Sequence, residues 1–156
     1  MKKMIVLMFL FSSLLFSYEM NYDKNTTGLV RHIKVYKAPK WVAKIELRNG
    51  KEIFFISPKS MFEFYFRPGK WPEYNIKSED DFKALYVTDF ATAKPVKAKG
   101  AFYVYGSNVT SPAGDDLVPF DSYKAAEEFS KKNNGQRIFG FRELSRGLIN
   151  WLNDSL

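Results

Sequence analysis

The chain has no cysteine and only one histidine, His32. Without cysteine there are no disulfides, zinc ribbons, thiolate nucleophiles or acylated lipoprotein anchor. With one imidazole, two-His metal sites and His-Cys pairs cannot be built within one chain. No long apolar run follows Phe16. What is abundant is aromatic: 15 Phe and 9 Tyr among 156 residues, enough to build a core largely from rings. The chain is 46% hydrophobic and 26% charged, a composition that is globular rather than disordered and fits one ordinary domain or two very small ones.

The N-terminus reads as an export signal over residues 1–17. Lys2 and Lys3 make a short positive region, and Met4 to Phe16 are apolar except for Ser12 and Ser13. That run has the length of a signal core and is too short for a hydrocarbon layer of ~30 Å, which separates it from an uncleaved anchor. Ser17 suits a cleavage site, although Leu15 is a poorer residue two positions before it. The mature chain, 18–156, then carries 22 basic and 17 acidic residues, a net charge of +5. In an exported protein this points to a solvated surface, an acidic partner or a membrane face, and not to nucleic acid.

Along the mature chain, Tyr18 to Gly28 is polar and reads as a loose lead-in. Asp23-Lys24-Asn25-Thr26-Thr27 matches an acidic-preceded bacterial glycosylation sequon as well as a plain linker, and Asn108-Val109-Thr110 matches the short sequon. Trp41–Leu47 alternates with period two, Asn49-Gly50 signals a two-residue hairpin loop, and Glu52–Ile56 is the return strand. Ser57 is an N-cap and Pro58 occupies the first helical position, with Met61, Phe62, Tyr65 and Phe66 recurring at helical spacing until Pro68-Gly69. Residues 72–81 read as a polar linker. Strands are expected over Ala84–Thr88, Ala101–Tyr105, Leu117–Phe120 and Gln136–Phe141, with Pro119 placing its strand at an edge. Ser122 caps a helix ending near Asn133. Phe141, Leu144, Leu148, Ile149 and Leu152 form a stripe on a C-terminal helix over about 141–153.

An offset of 65 residues superimposes Ser57 on Ser122, Phe55 on Phe120, Lys59 on Lys124 and Phe64 on Phe129. The economical reading is an internal duplication. The expected fold class is α+β: two similar small strand-strand-helix units, about 29–70 and about 84–144, packed in one compact body because neither half buries enough surface alone.

Several ordered stretches carry a family resemblance. They are Pro58-Lys59-Ser60-Met61-Phe62, the run Ala84 to Phe90, Pro95-Val96, the run Ala101 to Val109, and Leu117-Val118-Pro119-Phe120. Over Leu29 to Leu144 the chain resembles the nitrous-oxide-reductase accessory protein family (NosL-like), periplasmic copper-binding proteins with two small α+β halves. The resemblance implies a periplasmic copper chaperone of 18–156 with copper(I) as its metal. In that family a Cys-Gly-Met motif precedes a Pro-x-Trp by a fixed distance. Pro39-Lys40-Trp41 is that landmark here, and it places Arg31, His32 and Ile33 at the Cys, Gly and Met positions. The family's Gly-Pro-Met-Gly-His-Glu stretch becomes Ser111 to Asp116, with Ala113 at the Met position and Asp115 at the His position. The family's acylated Cys is also missing.

Copper(I) is soft and prefers thiolate, thioether and imidazole. The soft donors left in the mature chain are His32, Met61 and Met20. Each also has a plain structural reading: Met61 on a core stripe, His32 on the surface, Met20 in the lead-in. Asp115 and Asp116 read as turn residues or as carboxylates for a hard cation or basic partner. No nucleophile elbow, second imidazole or phosphate loop is present, so an enzyme is not expected. The functional expectation is a periplasmic accessory protein in maturation of a copper enzyme such as nitrous oxide reductase. It would work as a weak copper chaperone or as a docking factor on the enzyme precursor or another maturation factor. The alternative is a metal-free binding or scaffold module that kept only the fold.

Overall fold

The computed structural model describes residues 18–154; the export signal read over residues 1–17 lies outside them. The elements run β1 (Ala43–Leu47), β2 (Glu52–Phe55), α1 (Pro58–Phe66), β3 (Phe82–Thr88), β4 (Pro95–Lys97), β5 (Phe102–Tyr105), β6 (Val118–Phe120), α2 (Tyr123–Lys132), β7 (Arg137–Gly140) and α3 (Arg146–Asp154). This is the expected α+β class.

Two antiparallel sheets form, ordered β2-β1-β3-β4 and β6-β5-β7. One arrangement of elements recurs in that order. In each sheet a hairpin is followed by a capped helix, and the strand after the helix pairs with the far side of the hairpin's first strand. Each repeat is therefore strand-strand-helix-strand. The sequence reading began the second unit near residue 84, but Phe82–Thr88 pairs with β1 in the first sheet, with Ile45 opposite Leu85. The apolar faces of β1 and β3 meet on α1.

The β1–β2 loop is longer than the Asn-Gly dipeptide suggested. Leu47 N–H donates to Lys51 C=O, and Gly50 sits at φ +87°, closing a three-residue loop with a left-handed last position. Two polar segments are also packed rather than loose. Between α1 and β3, Trp71 and Tyr74 lie with ring centroids 5.5 and 5.3 Å from Phe64, and Ser78 and Asp81 form a capping box on a 3-10 turn. In the lead-in, Tyr18 stacks on Tyr86 at 3.9 Å and its hydroxyl donates to Glu46.

That strap explains why β1 does not alternate cleanly. Lys44 points to the outer face yet is buried. Its Nζ bonds Glu52 at 2.7 Å and Glu46 at 3.0 Å, and it stands 4.9 Å from the Tyr18 ring centroid. A buried ammonium is tolerable when paired in this way.

Helix α1 is inserted between the two sheets. Phe64 faces the first sheet, 5.8 Å from Phe55, and Phe62 faces the second, 5.4 Å from Tyr103. Met61, Phe62 and Phe64 share one cluster with Ile45, Leu85, Phe139 and Ile149. The other face of the second sheet packs Val104, Val118 and Phe120 against α2 through Ala126. The expected C-terminal helix starts later, since Phe141–Glu143 is a separate 3-10 turn before α3.

Candidate functional site

Three segments meet where β2 passes into α1. The first is the loop 28–33. Its Leu29 N–H donates to Phe54 C=O at 2.7 Å, which fastens it along the free side of β2. Gly28 N–H donates to Ile33 C=O, and His32 N–H donates to Gly28 C=O, so the loop is a tight knot. Only glycine fits at 28, because a Cβ there would stand 2.9 Å from the Ile56 backbone nitrogen. His32 has φ +54°. This is the residue that the motif comparison set at a glycine position, and the left-handed backbone is the reason a glycine suits it.

The second segment is 111–117. Ser111 and Gly114 exchange backbone hydrogen bonds, and Ser111 Oγ accepts from Ala113 N–H. The sequence reading treated Asp115 and Asp116 as one turn pair, and the structure separates them. Asp115 is exposed, whereas Asp116 is 3% exposed and collects donors from Lys59 N–H (2.8 Å), Leu117 N–H (2.8 Å) and Ser111 Oγ (2.7 Å). Asp116 thus satisfies one of the orphan N–H groups of α1. Burial pushes its carboxyl above the usual range, against the hydrogen bonds that favour the anion.

The third segment is the start of α1. Ser57 Oγ accepts from Ser60 N–H, as the cap expectation requires. Lys59 is fully buried, and its Nζ donates to Ala113 C=O at 2.7 Å and to Leu152 C=O at 3.2 Å. One side chain therefore ties α1, the 111–117 loop and α3. Burial pulls its ammonium below the ordinary range, and nearby Arg31 adds to this against the pull of Asp116. Sequence reasoning did not single out Lys59 as functional; its signal was its place in Pro58-Lys59-Ser60-Met61-Phe62.

Arg31, at the family's Cys position, is wired into the fold. Its Nη2 donates to Asn153 Oδ1 at 2.7 Å and lies 4.0 Å from Glu63 Oε2, which also accepts from Asn153 Nδ2 at 3.1 Å. Its buried Nε has no hydrogen-bond partner among the described residues.

The soft donors are distributed unevenly. Met20, Ala113 and Ile56 belong to one small apolar cluster, with Ile33 packed against it. Positions 33 and 113, which the resemblance gives to Met, therefore border the same small cluster, and the thioether in it is Met20 from the lead-in. Met61 is fully buried in the main cluster instead. His32 is exposed. The structure does not gather the three into one cluster, and no group of three or more His, Asp or Glu placed to hold a metal occurs among the described residues. Arg31 and Lys59 stand beside the motif loops with their cations already engaged, Arg31 by Asn153 and Glu63 and Lys59 by the Ala113 and Leu152 carbonyls.

No helix among the described residues is long and apolar enough to cross a membrane. No curated protein matches the chain. The crystal structure of the copper chaperone NosL from Shewanella denitrificans has the same fold, with a TM-score of 0.71 and 19% identity, over 84% of this chain and 98% of that one. The sequence profile of the NosL family matches residues 19–149, and the chain belongs to the NosL family.

Proposed function

We propose that this protein is an exported, periplasmic accessory factor in the maturation of a copper enzyme such as nitrous oxide reductase. It acts by docking on the enzyme precursor or on another maturation factor, and handles copper(I) weakly or not at all by itself. The observation that carries this reading is the content of the motif site. Arg31 and Asp115 replace soft donors, and Arg31 and Lys59 set positive charge beside the loops. The soft donors that the resemblance gives to these loops are gone, while the fold that displays the loops is kept. The copper chaperone named for the Shewanella structure supports a role in copper traffic.

One observation favours a residual copper(I) role: the Met20 thioether joins Ile33 and Ala113 at the family's two Met positions. Met20 is then the principal donor. His32 contributes only by swinging in as the neutral imidazole, and Met61 only if α1 opens.

Two measurements test the reading. In a strain lacking the gene, purified nitrous oxide reductase should carry less copper; a full copper load overturns the maturation role and favours the metal-free scaffold. Anaerobic competition against a strong copper(I) chelator should show weak binding or none. Any binding should fall in Met20→Ala, while Met61→Ala should act on stability. Tight binding that survives Met20→Ala, His32→Ala and Met61→Ala together would refute the assignment.

A further inference from the structure

On the surface around the C-terminal end of α1, three adjoining depressions of about 330, 460 and 410 Å³ share Phe66 as common floor. Tyr65 and Phe141 extend that floor, with ring centroids 5.7 Å apart. The walls are basic. Six Lys and Arg side chains line the three depressions, against one acid, Glu79. Glu79 is already engaged, accepting from Tyr65 Oη at 2.6 Å and Lys99 Nζ at 2.9 Å. By contrast, the guanidinium groups of Arg67, Arg142 and Arg146 make no hydrogen bond or ion pair with any described residue. Lys70 on the rim is held by Glu63, and away from the groove charged side chains are commonly paired, Lys44 with Glu52 and Arg137 with Glu143.

We infer that this groove is a docking site for an acidic, extended segment of a partner protein. Unpaired arginines present planar forks that match carboxylates bidentately. The ring floor between them takes an apolar side chain, and an aromatic centre with an arginine rim is the composition of an interface hot spot. The whole mature chain has a net charge of +5, and the lining of this groove alone has an excess of that size, six basic residues against one acidic. The depressions are shallow and open, and their arginines stand apart around a floor of rings, so an extended chain with alternating carboxylate and apolar side chains matches both features at once, whereas a headgroup layer meets only the charge. The inference rests on the docking reading above and deepens it by naming the surface and the chemistry of the partner.

The test uses the mature chain, ¹⁵N-labelled. The probe is a synthetic peptide of Asp and Glu with leucine at every third position. Its Asn and Gln counterpart is the first control, and phosphatidylglycerol vesicles are the second. The acidic peptide should bind with an affinity that falls as salt rises, and the amide shifts should cluster on Phe66, Lys70, Phe141 and Arg146. Arg142→Glu combined with Arg146→Glu should weaken binding by about tenfold or more, the loss expected for removing charge-assisted hydrogen bonds, with the melting temperature unchanged. Absence of peptide binding at low salt, binding retained by the double variant, or shifts gathered elsewhere would overturn the proposal. Binding to vesicles but not to the peptide would overturn it in favour of a membrane surface. Failure here leaves reductase copper loading as it is, whereas a full copper load in the deletion strain removes the maturation role and leaves peptide binding untouched.

Discussion

The two capped helices begin alike and end in different circumstances. Ser57 and Ser122 each accept from the N–H three residues on, and each helix follows a strand that ends in a buried phenylalanine, Phe55 or Phe120. Yet α1 buries six of its residues and α2 only Ala126. Lys59 is sealed between α3 and the 111–117 loop, while its counterpart Lys124 is exposed. The two units follow the same local rules, and the insertion of one helix between both sheets turned its first turn into a junction. Equivalent sequence positions thus carry different physical loads, because burial converts a solvated ammonium into a group that must find carbonyl partners.

Substitutions at matched positions sharpen that contrast. The largest effect should come from the rings: Phe55→Ala and Phe120→Ala each cost about 3–5 kcal/mol, with Phe55 at the upper end because it faces the inserted helix. Denaturant unfolding of both variants checks this, and near-neutral values would mean that the clusters do not hold the fold. Next, Lys59→Met should cost about 2–4 kcal/mol by removing the buried bonds that tie α1 to the 111–117 loop and α3, whereas Lys124→Met should stay within about 0.5 kcal/mol. Equal effects at the two lysines would break the comparison. Ser57→Ala should cost about 1–2 kcal/mol and Ser122→Ala about 0.5–1 kcal/mol, because the first cap is buried and the second is exposed.

The smallest signature is a slope with pH. The Asp116 carboxyl is raised in the folded state by burial, so the folded protein binds the proton more tightly than the unfolded chain does. Its contribution is fully present below the ordinary Asp value of 3.8 and is lost as pH rises through the higher folded value. Relative to Asp116→Asn, the wild type should therefore lose stability as pH climbs from below 3.8. Chemical denaturation of both proteins across the acid range reads the difference, and parallel curves would deny the linkage.

Much of the architecture was legible from local rules. Ser57-Pro58 and Ser122 start helices because a hydroxyl can take an orphan N–H, and Phe55, Phe64, Phe120 and Phe129 repeat at one offset because the same unit occurs twice. The partner of Ala84–Thr88 was not legible, since period-two strands do not say which apolar face they will meet. Nor was the packing of Tyr18 and Met20, whose polar neighbours disguise a strap over the first sheet.

For the candidate site, the sequence by itself determined which chemistry is missing: there is no thiolate, and Arg31, Ala113 and Asp115 stand at the motif positions that the family resemblance gives to soft donors. Only the tertiary structure decided what stands there instead. Met20 comes from a segment more than ninety residues away from Ala113 to share its cluster, and Lys59 reaches Ala113 and Leu152 across 54 and 93 positions. No local propensity encodes those contacts. They follow from burying α1 between two sheets, which leaves its polar groups no water and makes the surrounding loops supply the partners.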